Sequence, residues 1–247
     1  MMHNDVAVLI QGPLLDLHWL PGGYWDSLKT IEQRELEGIF PETVSYRIAD
    51  FYNGHSNVIW STWDDQDPVR IEYIKSKGID VIENKYPSNA GSKNVFFQLH
   101  STHTGIQHIK TQYPHIKYIL KVRGDFIVQD YVKLFDYCKS NQGIGFILYR
   151  TDIHHPADYI TFGSVEDMDL FYSLDVMGYD PLEFPEEAFI HHFTEKKLGY
   201  QSKSHEDTMK IGYLFGSEVI RLGLQVDWMK YAHDPLRLYV EQNICVV

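Results

Sequence analysis

The chain has 247 residues, with 22 Lys and Arg against 34 Asp and Glu, a formal net charge of −12 with histidine neutral. That balance argues against broad binding to nucleic acid or to an anionic membrane surface, which needs clustered Lys and Arg. Two cysteines, Cys138 and Cys245, are too few for a disulfide scaffold or a Cys-rich zinc site.

In chain order, Val6-Ala7-Val8-Leu9-Ile10 is an uninterrupted apolar run cut by Gly12-Pro13, the pattern of a strand buried on both faces. Apolar spacing at Leu28, Ile31, Leu36 and Ile39 predicts a helix over 25–39, ending before Pro41. Val58–Thr62 reads as a second strand, then an acidic loop and a helix from Pro68 to Lys77, with proline well placed in the first turn. Ile79–Ile82 is a third strand, after which Ser92 is the expected cap of a long helix reaching Gln112. Tyr118–Val122 is the fourth strand.

Strand and helix alternate, so the expected fold class is α/β: a mostly parallel central sheet flanked by helices. Ligands of such sheets bind at the carboxyl ends of the strands. The loops Gln11–Pro13, Trp63–Asp67, Tyr86–Gly91 and Arg123–Asp125 are therefore expected along one edge. Farther on, strands are expected at Gly145–Tyr149 and Tyr159–Phe162, and helices at Val165–Leu174, Glu186–Leu198 and Glu206–Leu222. No Pro/Gly/Ser linker divides the chain, which is read as a single domain over 1–247. No run of 18 apolar residues or basic leader pattern is present, so a cytoplasmic protein without a transmembrane segment is expected.

Several common motifs are missing. There is no Walker phosphate loop, no dinucleotide glycine fingerprint after Gly143-Ile144-Gly145, and no second histidine after His205-Glu206 to make a zincin. What remains is the segment YILKVRGDFIV at Tyr118–Val128, which leaves Asp125 at the end of a strand. A carboxylate there either holds a divalent cation against a diphosphate or only caps the following turn. The Arg123-Gly124-Asp125 tripeptide also spells an adhesion motif, but a buried strand precedes it.

VLIQGP at Val8–Pro13, VIWSTWDD at Val58–Asp65, the stretch from Asn89 to Gly105, LKVRGD at Leu120–Asp125, DYITFGSVEDM at Asp158–Met168 and FPEEAFI at Phe184–Ile190 together resemble the WavE-type lipopolysaccharide-synthesis family. The resemblance implies a GT-A-like glycosyltransferase with a nucleotide-sugar-binding half over 1–128 and an acceptor-binding half over 129–247. It implies a nucleotide-sugar donor and a polysaccharide or lipid-linked glycan acceptor, with peripheral contact to a membrane allowed.

GT-A enzymes generally hold Mn²⁺ or Mg²⁺ on two carboxylates after the fourth strand. Here Arg123 replaces the first, as in that family's K-x-R-S-D pattern, so either the metal is held by Asp125 alone or metal dependence is lost and Asp125 meets a donor-sugar hydroxyl. Arg123 itself offers a planar charged fork to phosphates. By the same resemblance Gln11, Gly12 and Pro13 pass close to base and ribose, and Trp63 and Asp64 stack on and hydrogen-bond the base, against the plainer reading of turn chemistry and a packed tryptophan. Asn89, Lys93 and Asn94 open the long helix, whose N-terminal amides favour anions.

Inverting transfer also needs a carboxylate base. Glu186 ranks first by its match to the family's P-E-x-aromatic pattern, then Asp158; Glu187 is a further candidate. Glu166 and Asp167 fit a helix's first turn better than catalysis. The pairs His154-His155 and His191-His192 read as surface or hydrogen-bonded histidines sooner than as metal ligands, and the second pair lies on an expected helix, where neighbours do not share a face. Two other readings stay open: a sugar-phosphate nucleotidylyltransferase, for which a glycine-rich start is lacking, and a non-catalytic sugar- or nucleotide-binding relative.

Overall fold

A computed structural model of the chain describes residues 4–14, 42–54, 57–91, 94–129, 131, 136, 144–150, 155–174, 189, 192–193, 195–197, 199, 220–221, 225–228, 237–239 and 243–246. For 42–44, 146–150, 155–159 and from 220 onward it describes the backbone alone. The elements are β1 (Val6–Gln11), α1 (Glu42–Tyr52), β2 (Val58–Trp63), α2 (Pro68–Ser76), β3 (Asp80–Asn84), α3 (Val95–Gln112), β4 (Tyr118–Arg123), β5 (Phe126–Val128), β6 (Ile144–Arg150), β7 (His155–Ser164), α4 (Val165–Phe171), β8 (Ile220–Arg221), β9 (Gln225–Trp228), β10 (Arg237–Tyr239) and β11 (Asn243–Val246).

The fold is the α/β arrangement the sequence predicts, a central sheet flanked by helices. The main sheet runs β3-β2-β1-β4-β7-β6-β11-β8, and a small one runs β10-β9-β5. β3, β2, β1 and β4 are parallel, whereas β7 pairs antiparallel with β4 and starts the irregular half. Successive strands step from β1 through β2 to β3 on one side, and α3 then carries the chain back to β4 on the other side of β1. The direction of winding thus reverses between β1 and β4, which opens a crevice at their carboxyl ends.

Strand alternation explains the apolar run at β1. Val6, Val8 and Ile10 join a core with Ile48 and Tyr52 of α1 and Ile71 and Ile74 of α2, while Ala7 and Leu9 join a second core with Leu99 and Ile106 of α3 and Met168 and Phe171 of α4. Each fully buried side chain of this size contributes about 2 kcal/mol of apolar transfer. Gly105 lets α3 approach β1 closely, for a Cβ there would lie 2.5 Å from Leu9 Cδ1.

Several boundaries differ from expectation for local reasons. α1 begins directly after Pro41, a residue that starts helices as readily as it ends them. The helix expected over 25–39 lies outside the described residues. α2 begins as expected, with Asp67 accepting from Val69 N at 2.9 Å and Pro68 following. The N-cap position of α3 is Asn94, in the left-handed region at φ 62° and without a side-chain capping hydrogen bond, and the expected cap Ser92 lies outside the described residues. α4 is capped by Ser164, whose hydroxyl accepts from Asp167 N, and its first turn holds Glu166 and Asp167. The helix expected over 206–222 falls mostly outside the described residues, but its last residues, Ile220–Arg221, form strand β8. Among the described residues no helix is long and apolar enough to cross a membrane.

Candidate functional site

The ends of β2, β1 and β4 are stitched together. Gly12 N donates to Ser61 O at 3.1 Å, Gly124 N donates to Gln11 O at 2.8 Å, and Trp60 Nε1 donates to Gly12 O at 3.2 Å. Gly12 sits at φ +118°, a conformation that L side chains rarely adopt. Gly124 allows a close approach: a Cβ there would lie 3.3 Å from Trp60 and 3.5 Å from the carbonyls of Gln11 and Pro13. The next loops join the same edge. Leu14 N donates to Gln66 Oε1 at 2.8 Å, Asp64 N donates to Asn84 O at 2.9 Å, and the Tyr86 hydroxyl donates to Asp65 Oδ1 at 3.2 Å.

At the crevice itself stands an ion pair. Arg123 Nε donates to Asp125 Oδ1 at 2.6 Å and Nη2 to Oδ2 at 2.8 Å. The guanidinium carbon lies 5.1 Å from the centre of the Phe126 ring, within cation–π range. The Asp125 side chain is 4% exposed and that of Arg123 22%, so the anion is the inner member and the cation the outer one.

The same pair bears on the metal that the resemblance implies. Both oxygens of Asp125 are engaged by Arg123, and the described residues contain no group of three or more His, Cys, Asp or Glu able to hold a metal ion. Hard divalent cations take several oxygen ligands. The described donor set does not fit such a site.

The other expected contacts divide. Gln11 reaches inward: its Nε2 donates to Ser101 Oγ at 3.0 Å, inside a buried network where Ser61 Oγ donates to Ser101 O and Asn84 Nδ2 to Ser61 Oγ. Its backbone carbonyl, not its side chain, serves the crevice. Trp63 is 3% exposed and stacks on Tyr86, with centroids 4.2 Å apart and planes at 14°, and the edge of Phe97 lies 5.6 Å away. The indole is a packed side chain, and Tyr86 is the ring outside it. Pro13 is half-buried in the turn, and Asp64 is exposed at the end of β2. Asn89 is exposed and accepts from Gly91 N at 2.9 Å, an Asx turn that leads towards α3. Asn94 is exposed, and Phe96 N of the first turn already donates to Ala90 O.

Lys93, Glu186, Glu187, His154 and His191 lie outside the described residues. Asp158 is on β7. The pairing Val122↔Ile160 sets the start of that strand, and Asp158 with it, beside the carboxyl end of β4.

Three residues escape the sequence reading. Tyr86 follows β3 closely; its phenol is held protonated by burial and by the adjacent carboxylates of Asp65 and Asp64. His100, on α3, lies nearly parallel to Trp63, and burial, then His103, lowers its pKa. Lys121 is fully buried on β4 with Nζ 5.7 Å from the centre of the Tyr172 ring, whose hydroxyl shares a 2.9 Å hydrogen bond with Thr161 Oγ1. A charge inside the YILKVR strand was the visible signal for the last.

No protein-family model and no curated protein matches the chain. Solved structures of similar course include a cytidylyltransferase from Leptospira borgpetersenii, 16% identical over 83% of this chain and 79% of that one, with a TM-score of 0.41. Another is a 4-diphosphocytidyl-2C-methyl-D-erythritol synthase from Anaerococcus prevotii, 8% identical over 83% of this chain and 95% of that one, with a TM-score of 0.44. Similarity at this level leaves substrate and reaction to the chain's own residues.

Proposed function

We propose that the chain is a transferase of nucleotide-sugar chemistry that binds its nucleoside diphosphate at the β1/β4 crevice, and that it moves the sugar to a glycan acceptor. The observation that carries this reading is the Arg123–Asp125 pair at the topological switch point, with its cation outermost. A sugar leaving its nucleotide builds negative charge on the diphosphate, and a guanidinium fixed beforehand stabilises that charge without reorganising. Asp125 fixes the fork, and Asp158, on the strand paired with β4, is in this reading the base that takes the acceptor's proton. Glu186 is the alternative base from the WavE-type resemblance, which also supports the polysaccharide or lipid-linked acceptor and an acceptor-side second half.

The second reading, a sugar-phosphate nucleotidylyltransferase, uses the same edge for a nucleoside triphosphate. Transfer of a nucleotidyl group is the activity named for the cytidylyltransferase above, whose name states no acceptor. The two differ in leaving group, and one experiment separates them. Purified protein is incubated with uridine-, guanosine- and cytidine-linked sugars, with and without Mn²⁺, and nucleotide release is measured. In parallel it receives nucleoside triphosphates and sugar 1-phosphates, and pyrophosphate is measured. Release of nucleotide from a sugar donor, lost in Arg123→Ala, is expected. Pyrophosphate alone would establish nucleotidylyl transfer in its place; binding of nucleotide with neither product would leave a non-catalytic binder.

A further inference from the structure

The loops after β2 and β3 carry a feature that the diphosphate site does not use. Tyr86 is half-buried and held on two sides: its ring lies 4.2 Å from Trp63 and nearly parallel to it, and 5.2 Å from Phe97, edge-on at 66°. Its hydroxyl donates to Asp65 Oδ1, which also accepts from Gln66 Nε2 at 2.8 Å. Three contacts therefore fix an aromatic plane at the ligand-binding edge of the sheet, so a stacked ligand orders nothing further there. Beside the plane lies Asp64. Its carboxylate is exposed, its backbone is anchored to Asn84 O, and both it and Asp65 are near enough to raise the phenol's pKa.

An ionised carboxylate only accepts hydrogen bonds. Among the nucleobases, guanine alone offers it two adjacent donors, N1–H and N2–H, on one edge. Uracil offers a single N–H between two carbonyls, which a carboxylate repels. In cytosine and adenine a ring acceptor stands beside the amino group.

Resting on the nucleotide-sugar reading, we propose that the base of the bound nucleotide is guanine, stacked at Tyr86 and hydrogen-bonded through N1–H and N2–H to Asp64. Trp63 then backs the platform instead of meeting the base.

Titration calorimetry of the full chain with the diphosphates of guanosine, inosine, uridine, cytidine and adenosine tests this. Inosine lacks the 2-amino group and nothing else. Guanosine diphosphate is expected to bind tightest, inosine diphosphate about tenfold less tightly, and Asp64→Asn to erase most of that difference. Asp64 is exposed, so that variant leaves the fold alone. Tyr86→Ala is expected to weaken guanosine diphosphate at least fivefold, and Tyr86→Phe, which keeps the ring against Trp63, to retain most of the affinity.

Equal affinity for guanosine and inosine diphosphates, or tighter binding of another base, overturns the guanine assignment and leaves the diphosphate site standing. Unchanged affinity in Tyr86→Ala removes the platform. Binding of no nucleoside diphosphate removes the functional reading and this inference together.

Discussion

Arg123 and Asp125 are joined by two hydrogen bonds across a single intervening glycine, Nε to Oδ1 at 2.6 Å and Nη2 to Oδ2 at 2.8 Å. The loop therefore closes on itself before any ligand arrives. Lysine cannot reproduce a two-pronged pairing, and asparagine cannot carry its charge. Arg123→Lys and Asp125→Asn are each expected to cost about 2 kcal/mol of stability. Combined in a double-mutant cycle by urea unfolding, they should cost about 1 to 2 kcal/mol less than their sum. Additive losses would mean that the pair is not a unit in solution.

Gly12 and Gly124 meet in the same crossing for different reasons, and alanine separates them. At Gly12 an added Cβ meets nothing within 4 Å, yet φ is +118°. Gly12→Ala thus suffers backbone strain alone, about 1 to 3 kcal/mol. Gly124 has no such conformation, but its Cβ would crowd the fully buried Trp60 at 3.3 Å. Gly124→Ala should cost about 1 kcal/mol. It should be largely relieved in Trp60→Phe, which removes the crowding ring, whereas Gly12→Ala should not. Thermal unfolding of the three single variants and the two doubles with Trp60→Phe checks the contrast.

Gly105 sets two effects against each other. Alanine improves helix propensity by about 1 kcal/mol at an interior position of α3. Its Cβ, however, would fall 2.5 Å from Cδ1 of Leu9, a side chain with no exposed surface. Overpacking of this kind costs about 1 to 3 kcal/mol. Gly105→Ala is expected to lose stability, and Leu9→Val to restore part of it in the double variant. A gain in the single variant would show that α3 can lift from β1 at little cost.

How far the sequence could be read depends on whether the deciding partner was local. The Val6–Ile10 run announces a strand covered on both faces because its neighbours in sequence are themselves the signal, and cores on both sides follow. Asp67-Pro68 announces α2 in the same way. The donor-edge loops could be grouped because strand order alone puts them at one end. Trp63 reads equally as a base-stacking ring or a packed one, because its partner, Tyr86, comes from the next loop and only packing reveals that one ring covers the other. Asp125 could be placed at a strand end but not paired: a carboxylate two residues after an arginine reads equally as a metal ligand or as an anchor, and its two-pronged pairing with Arg123 depends on side-chain directions that sequence does not give. The reversal to antiparallel strands at β7 has no sequence marker of its own.

His100 gives the fold a pH dependence of predictable sign. It lies nearly parallel to Trp63 with centroids 6.4 Å apart, and burial first, then the neighbouring His103, depresses its pKa below the ordinary 6.5. In the window between that depressed value and 6.5 the unfolded chain binds a proton that the folded chain does not. Stability from this group is then complete above 6.5 and falls as pH drops through 6.5 towards the folded value. Phenylalanine keeps an aromatic ring near the indole and cannot titrate. Between pH 7.5 and 5.5 the midpoint of thermal unfolding is expected to fall further in the parent protein than in His100→Phe. Parallel curves for the two proteins would show that the imidazole is as well solvated in the folded state as in the unfolded one, and that the edge formed with Trp63 is open to water.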